Sequence, residues 1–125
     1  MALTKEDLVI GKVVYKLDVL NNSARRNKIT MIDADGNQWY RYDQPLWSYK
    51  VIPMTIVGVV KHVVRGVIDA DANVEDEYFL QLGKEKYVNM YTEEELTTDY
   101  YDRNFYDDET RAIDTGEGMC VNRNI

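Results

Sequence analysis

The chain has 125 residues, 45% of them hydrophobic and 30% charged, which are the proportions of one globular domain. The single cysteine, Cys120, excludes an intramolecular disulfide, and no apolar run reaches the roughly 18 residues of a membrane-spanning helix. We therefore expect a soluble, cytoplasmic protein. Ten tyrosines and a formal net charge of −7 are the unusual features.

The two halves of the chain carry opposite charge. Residues 1–68 contain ten Lys and Arg against six Asp and Glu, a net charge of +4, whereas residues 69–125 contain five against sixteen, a net charge of −11. An acidic half of this kind indicates a basic partner or a set of solvated acids, and both interpretations stay open. The negative total argues against sequence-independent binding to nucleic-acid phosphates, which depends on cationic contacts.

A strand and then a hairpin are predicted in the first third of the chain. Alternating apolar residues predict a strand at 8–20, and the polar run NNSARRNK at 21–28 predicts a loop. Residues 29–32 and 38–42 predict the two strands of a hairpin, because the Asp-Gly dipeptide in the intervening DADGN favours a tight turn. In this hairpin Trp39 and Arg41 face one side, and Tyr40 and Tyr42 face the other.

The middle of the chain is rich in β-branched residues. Residues 49–67 predict two strands or one long bent strand, with Pro53 at an edge and Gly58 at the bend. An acidic loop, DADANVEDE, follows at 69–77. Residues 78–82 and 86–91 then predict a second hairpin.

Two helices are predicted near the end of the chain. Thr92 and Glu95 form a capping-box pattern, and Leu96 and Tyr100 recur at helical spacing, so the first helix is expected at about 93–104. The segment DDETRAI predicts a second, short helix that ends near Gly116. Residues 115–125 are expected to form a loose tail or a last short strand.

Strands followed by helices favour a mainly β, α+β protein over a parallel α/β fold. We expect one domain, with a β part at about 8–91, an acidic helical part at about 92–114 and a tail at 115–125. The first choice of architecture is a small antiparallel SH3-like barrel, and the second is an OB-like barrel or a strongly bent sheet. One or two C-terminal helices accompany it.

The sequence contains no pattern that predicts catalysis, a metal site or a cofactor. Asp33, Asp35 and Asn37 have the spacing of the first calcium ligands of an EF-hand, but the glycine stands at position 4 instead of 6 and position 12 is Gln44. A hairpin turn explains DADGN better. Signatures of common hydrolases and of phosphate-binding loops are absent from the printed sequence. We therefore expect a protein that is not an enzyme and has no cofactor.

Two regions are candidate binding surfaces. Acids and tyrosines are close together at residues 92–110, where tyrosines supply contact area and acids attract a basic protein partner or imitate the phosphates of a nucleic acid. The residues predicted to contact this partner are Glu94, Asp99, Tyr100, Tyr101, Asp102 and Tyr106. The alternative is an aromatic and basic surface that binds nucleic acid or a nucleotide by base stacking. Its residues are Arg25, Arg26, Trp39, Arg41, Trp47 and Tyr49.

The strands around IDADGNQWYRYD and the segment YYDRNFYDDETRAI, in a short acidic chain, resemble the small accessory proteins of T-even-like bacteriophages. This resemblance implies a protein that acts in the host cytoplasm by binding and altering a host factor, such as a nuclease or a defence component. It assigns no role to any single residue.

Overall fold

The computed structural model describes residues 3–65, 73–85, 87–100 and 103–124. Within these residues a short 3₁₀ turn at Lys5–Asp7 precedes seven strands and two α-helices. The strands are β1 (Val13–Asn21), β2 (Lys28–Ile32), β3 (Gln38–Tyr42), β4 (Trp47–Arg65), β5 (Asn73–Gln81), β6 (Asn89–Thr92) and β7 (Arg103–Tyr106). The helices are α1 (Glu93–Thr97), between β6 and β7, and α2 (Glu109–Arg123), at the end of the chain.

Five of the strands form one antiparallel sheet in the order β6-β5-β4-β1-β7, and β2 and β3 form a separate two-stranded sheet. Strand β4 is 19 residues long. It pairs with β1 over its first half and with β5 over its second, and the register with β5 shifts after Ile56 and after Val60. Such bulges bend a strand and increase its twist. The prediction of a long bent strand is therefore confirmed over the described residues.

The sheet curves but does not close into a barrel within the described residues, because its edge strands β6 and β7 do not pair. The two edges nevertheless approach each other across the core. The ring of Tyr91 in β6 meets that of Phe105 in β7 edge-on, with centroids 5.0 Å apart. Helix α1 lies against both edges, and its Glu95 forms an ion pair with Arg103 of β7 at 3.7 Å. The mainly β prediction is confirmed, with an open sheet in place of a closed barrel.

The curved sheet carries a core on each face. Alternation along β1 sends Val14 to the concave side and Leu17 and Val19 to the convex side. The concave core is formed by Leu3, Leu8, Val14, Met54, Ile56, Tyr78, Leu80, Tyr91, Leu96 and Phe105. On the convex face α2 packs on β1, β4 and β7 through Ala112 and Cys120.

At Gly116 helix α2 lies directly against the sheet. A Cβ atom at this position would lie 2.6 Å from Cδ2 of Tyr49 and 2.8 Å from Cδ1 of Leu17, both closer than van der Waals contact. Because Gly116 has no side chain, the backbone of α2 can lie directly against the strands. Gly118 faces open space, with no heavy atom within 4 Å of a Cβ built there.

The prediction of a helix over 93–104 is wrong. Helix α1 ends at Thr97, and the chain returns to the sheet as β7. The reason is tertiary: β1 has a free edge, and residues 103–106 supply its hydrogen-bond partners. Phe105 lies in the concave core and Tyr106 lies beneath α2, so adjacent residues are both buried and no alternation announces the strand.

The predicted end of the second helix near Gly116 is also wrong, and so is the loose tail or last short strand predicted at 115–125. Helix α2 begins after its N-cap Asp108, whose carboxylate accepts a hydrogen bond from the Thr110 N–H at 2.9 Å, and it continues to Arg123. Gly116 looked like a helix stop, but it serves packing inside the helix. The predicted acidic loop is shorter than expected, because β5 already begins at Asn73; residues 69–72 lie outside the described residues.

We predict opposite effects for alanine at the two glycines of α2. Gly116→Ala should lower the free energy of unfolding by about 1–3 kcal/mol, because the new methyl group overlaps Tyr49 and Leu17. Gly118→Ala should raise it by about 0.5–1 kcal/mol, because alanine favours a helix interior and meets nothing. Urea unfolding measures both. Equal stabilities of the two variants would contradict the close approach at Gly116.

Candidate functional site

Strands β2 and β3 form a ribbon that stands apart from the rest of the described chain. We call residues 28–42 the ribbon. Its strands pair with each other, and neither joins the five-stranded sheet. Of its ten strand residues nine are exposed, and Ile29 is half-buried. Both faces of the ribbon are therefore open to solvent, although an isolated two-stranded hairpin is marginally stable in water.

The register of the ribbon determines which side chains share a face. Met31 is opposite Trp39 and Ile29 is opposite Arg41, and these four residues form the tryptophan face. Tyr40 is opposite Thr30 and Tyr42 is opposite Lys28 on the other side, the tyrosine face. The predicted separation of Trp39 and Arg41 from Tyr40 and Tyr42 is confirmed.

Large apolar side chains are exposed on both faces. The exposed fractions are 58% for Trp39, 53% for Met31, 68% for Ile32, 56% for Tyr40 and 49% for Tyr42. Scattered apolar residues are ordinary on protein surfaces, but several large exposed apolar side chains close together on each face of one hairpin indicate an interaction site.

The carboxylate of Asp33 organises the tip of the ribbon. It accepts hydrogen bonds from the N–H groups of Asp35 and Asn37, each at 2.9 Å, and from Nε1 of Trp39 at 2.8 Å. The Trp39 indole is the main reason that the pKa of Asp33 is lowered, followed by the Asn37 N–H. Gly36 adopts φ +82° in the turn. The hairpin turn predicted at DADGN is confirmed.

Polar contacts also hold the base of the ribbon. Asp43 accepts hydrogen bonds from N of Asn27 at 2.9 Å and from its Nδ2 at 3.0 Å, and the Asn27 N–H is the main cause of the lowered pKa of Asp43. Deeper in the molecule, the buried Asn22 donates from Nδ2 to the Pro45 carbonyl at 3.1 Å and to Oγ of Ser48 at 2.8 Å. The ribbon is thus fixed to the ends of β1 and β4.

Two cations lie on the aromatic rings of the tyrosine face. Cζ of Arg26 is 3.7 Å from the centroid of the Tyr42 ring, and Nζ of Lys28 is 3.9 Å from that of Tyr40. Cations in this position are attracted by the electron-rich face of the ring. The contacts stiffen long side chains that would otherwise be mobile, and they give this face a mixed cationic and aromatic character.

The residues of the predicted aromatic and basic surface fall in two places. Arg25, Arg26, Trp39 and Arg41 belong to the ribbon and its base. Trp47 and Tyr49 lie at the start of β4, where they border a cleft against α2. The cleft has a volume of about 490 Å³, and it is lined by Pro45, Trp47, Ser48, Tyr49, Glu117, Cys120, Val121 and Asn124.

The predicted acidic surface is only partly exposed. Glu94 and Asp99 are exposed, Tyr100 is half-buried, and Tyr101 and Asp102 lie outside the described residues. Tyr106 is 3% exposed and packs beneath α2, which removes it from any surface that a partner could contact.

Neighbouring acids of this segment have structural tasks. Glu95 completes the capping box of α1 and pairs with Arg103. Asp107 pairs with Arg111 at 3.4 Å, and Asp108 caps α2. Three acids of this segment are therefore accounted for by helix caps and ion pairs.

The cleft residues on α2 were missed in the sequence. Gly116, Cys120 and Asn124 recur at intervals of four and face the sheet, with Glu117 and Val121 beside them at the cleft. This spacing could have predicted a helix through the end of the chain, but two glycines within three residues indicated a stop.

No family model, no curated protein and no solved structure matches this chain. Among the described residues no group of three or more His, Cys, Asp or Glu side chains could hold a metal ion. No helix in the same part of the chain is long and apolar enough to cross a membrane. The function must therefore be inferred from the ribbon and the cleft themselves.

We predict that the order of the ribbon tip depends on the ionisation of Asp33. The folded pKa lies below the ordinary value of 3.8, so this carboxylate contributes stability that is fully present above pH 3.8 and is lost as the pH falls through the folded pKa. In a Trp47→Phe background, where Trp39 is the only tryptophan, its fluorescence should change in that acidic range.

Two variants check the assignment. Asp33→Asn should abolish the acid transition of Trp39, because the charged acceptor of its indole N–H is gone. Asp35→Asn should keep the transition, since the Asp35 side chain makes no hydrogen bond within the described residues. A transition that persists in Asp33→Asn would contradict the role of Asp33.

Proposed function

We propose that the protein is a non-enzymatic binding protein that contacts another protein through the ribbon. The observation that carries this proposal is a ribbon with large apolar side chains exposed on both faces, held in shape by hydrogen bonds at its tip and base. Within the described residues the ribbon strands have no packed core, since nine of their ten side chains are exposed. The polar contacts keep these apolar side chains exposed to water, which is unfavourable unless a partner covers them.

The composition of the ribbon supports a protein partner. Trp, Tyr, Met and Arg are the residue types enriched at the centre of protein–protein interfaces, and the ribbon presents Met31, Trp39, Tyr40, Arg41 and Tyr42. The ordered tip also limits the entropy lost on binding, because the turn and the Trp39 side chain are already held in place.

The charge of this region favours a protein over a nucleic acid. Residues 22–46 contain four Arg and Lys against three Asp, a net charge of +1. Two of the acids, Asp33 and Asp35, lie at the tip, where they would repel phosphates. Two of the cations, Arg26 and Lys28, lie on the chain's own tyrosine rings. The experiment must therefore distinguish a protein partner from a nucleic-acid partner.

The function class agrees with the expectation from sequence, but the proposed surface moves from the acidic segment to the ribbon. The acidic segment keeps Glu94 and Asp99 as exposed candidates for contact with a basic protein. The resemblance to phage accessory proteins would make the partner a host protein, and this stays a prediction.

We also propose that the five-stranded sheet is an incomplete barrel of the SH3-like type. Four strands follow one another as an antiparallel meander, β1-β4-β5-β6, and after the short helix α1 the last strand returns beside β1. The long bent β4 belongs to both halves of the sheet. The ribbon is then an elaboration of the connection between the first two strands of the meander.

The experiment compares three matched double variants with the unchanged chain in a bacterial lysate, with and without nuclease treatment. Met31→Ser with Trp39→Ser removes the tryptophan face. Val9→Ser with Ile10→Ser removes two equally exposed apolar side chains far from the ribbon in sequence. Glu94→Lys with Asp99→Lys reverses the exposed acids. Captured proteins are identified by mass spectrometry, and the affinity of each variant for the purified partner is then measured.

We expect one protein to be retained by the unchanged chain and by the Val9 and Ile10 variant. The ribbon variant should bind it at least about 30-fold more weakly, the loss of about 2 kcal/mol that removal of a central aromatic anchor causes. Full retention by the ribbon variant, or loss only in the Glu94 and Asp99 variant, would overturn the proposal. Binding that nuclease abolishes would instead support the nucleic-acid alternative.

A further inference from the structure

We propose that the cleft between α2 and the start of β4 is a second binding site, which takes a flat apolar group that carries an amine. The site is independent of the ribbon surface. Its ligand class follows from the shape of the cleft, from its apolar walls and from one carboxylate at its edge.

The cleft is held open at both ends. At one end Gly116 brings α2 directly onto Leu17 and Tyr49. At the other end the side chain of Asn124 pairs with the backbone of Trp47, accepting from its N–H at 2.8 Å and donating to its carbonyl at 3.0 Å. The helix is thereby anchored to the sheet at two points, Gly116 and Asn124, about two turns apart. The space between these points cannot collapse without breaking one of the contacts.

Most of the lining is apolar. The Trp47 side chain and Pro45 form the strand side, and Cys120 and Val121 form the helix side. Val121 is 63% exposed, whereas Cys120 is 7% exposed at the bottom. A volume of about 490 Å³ is large enough for a small organic molecule, which would bind with one side open to solvent. The space between the Trp47 and Val121 side chains suits an aromatic ring better than a strongly hydrated polar group.

Among the described lining residues, Glu117 is the charged group that has an oxygen available to a ligand. Ser48 is engaged with Asn22, and both amide atoms of Asn124 are used on Trp47. The Tyr49 hydroxyl donates to Oε1 of Glu117 at 3.2 Å, and Oε2 of Glu117 makes no hydrogen bond within the described residues. The pKa of Tyr49 is raised, first by desolvation and then by the Glu117 carboxylate, so the phenol stays a donor and the carboxylate stays the acceptor.

A carboxylate at the edge of an apolar cleft selects a cation that carries hydrogen-bond donors. Arg123 also lies near the cleft, with its guanidinium 4.8 Å from the centroid of the Trp47 ring. This contact shows that the ring receives a cation on its face. A primary amine on an aromatic group can therefore donate to Glu117 while its ring covers Val121 and Trp47.

The test uses the full chain and phenethylamine as the probe. Because Cys120 is the single cysteine and lines the cleft, its rate of reaction with a small thiol reagent reports occupancy. The fluorescence of Trp47, in a Trp39→Phe background, is the second readout. Phenethyl alcohol and phenylacetate have the same ring but carry no charge and a negative charge respectively.

We expect phenethylamine to slow the modification of Cys120 in a saturable way, and the alcohol and the carboxylate to bind about tenfold more weakly or not at all, since a hydrogen bond to a charged group exceeds a neutral one. Glu117→Gln should reduce the affinity for the amine about tenfold. Asp114→Asn, an exposed acid outside the cleft lining, should leave it unchanged.

Equal protection by the amine and the alcohol, no protection by the amine, or unchanged affinity in Glu117→Gln would each overturn the proposal. The comparison of probes on the unchanged chain gives a result even if a variant folds poorly. Removal of the tryptophan face by Met31→Ser with Trp39→Ser should leave amine binding intact, so failure here and failure of the ribbon proposal are separate results.

Discussion

The structure depends on the antiparallel pairing of β1 with β4. Nine consecutive residue pairs join the two strands, from Val13 with Thr55 to Asn21 with Trp47. Through its concave face the pair supports the larger core, and through its convex face it supports α2. At the last pair the two strands diverge into the ribbon. A slip of one residue in this register would exchange the two faces and detach both features at once.

The ribbon is stabilised by means that differ from those of the sheet. In the sheet, buried side chains such as Leu17 and Ile56 lose contact with water, and the hydrophobic effect dominates. In the ribbon, carboxylates and amides hold the backbone at the tip, at the base and at the adjoining ends of β1 and β4, while the aromatic side chains remain exposed to solvent. Because polar groups make these contacts, the apolar side chains of the ribbon remain available to another molecule. Preorganisation of this kind is what a binding surface requires and what a folding core does not.

The position of α2 on the sheet, and with it the shape of the cleft, depends on a single small residue. Gly116 allows close packing at one point, and the Trp47 backbone receives Asn124 two turns later. The helix thus has both of its contacts set by the sheet beneath it. The cleft lies between these two contacts, with the buried Cys120 at its bottom.

Several features could be read from local chemistry. The hairpin at DADGN needs an Asx turn and a residue with positive φ, and Asp33 and Gly36 supply them. The start of α1 follows from the reciprocal hydrogen bonds of Thr92 and Glu95, and the start of α2 from Asp108. In each case the residues that decide the structure are within a few positions of one another, so their identities suffice.

The sequence by itself therefore determined the mainly β character, the hairpin with its two faces, and the positions where both helices begin. Only the tertiary structure decided where the helices end. Residues 103–106 became a strand because β1 offered an unpaired edge. The helix continued past Gly116 because Cys120 and Asn124, further along it, contact the sheet. Tertiary packing also decided that Tyr106 is buried and that Trp39 is exposed. Burial depends on what a distant part of the chain places above a residue, and that information is not contained in its neighbours.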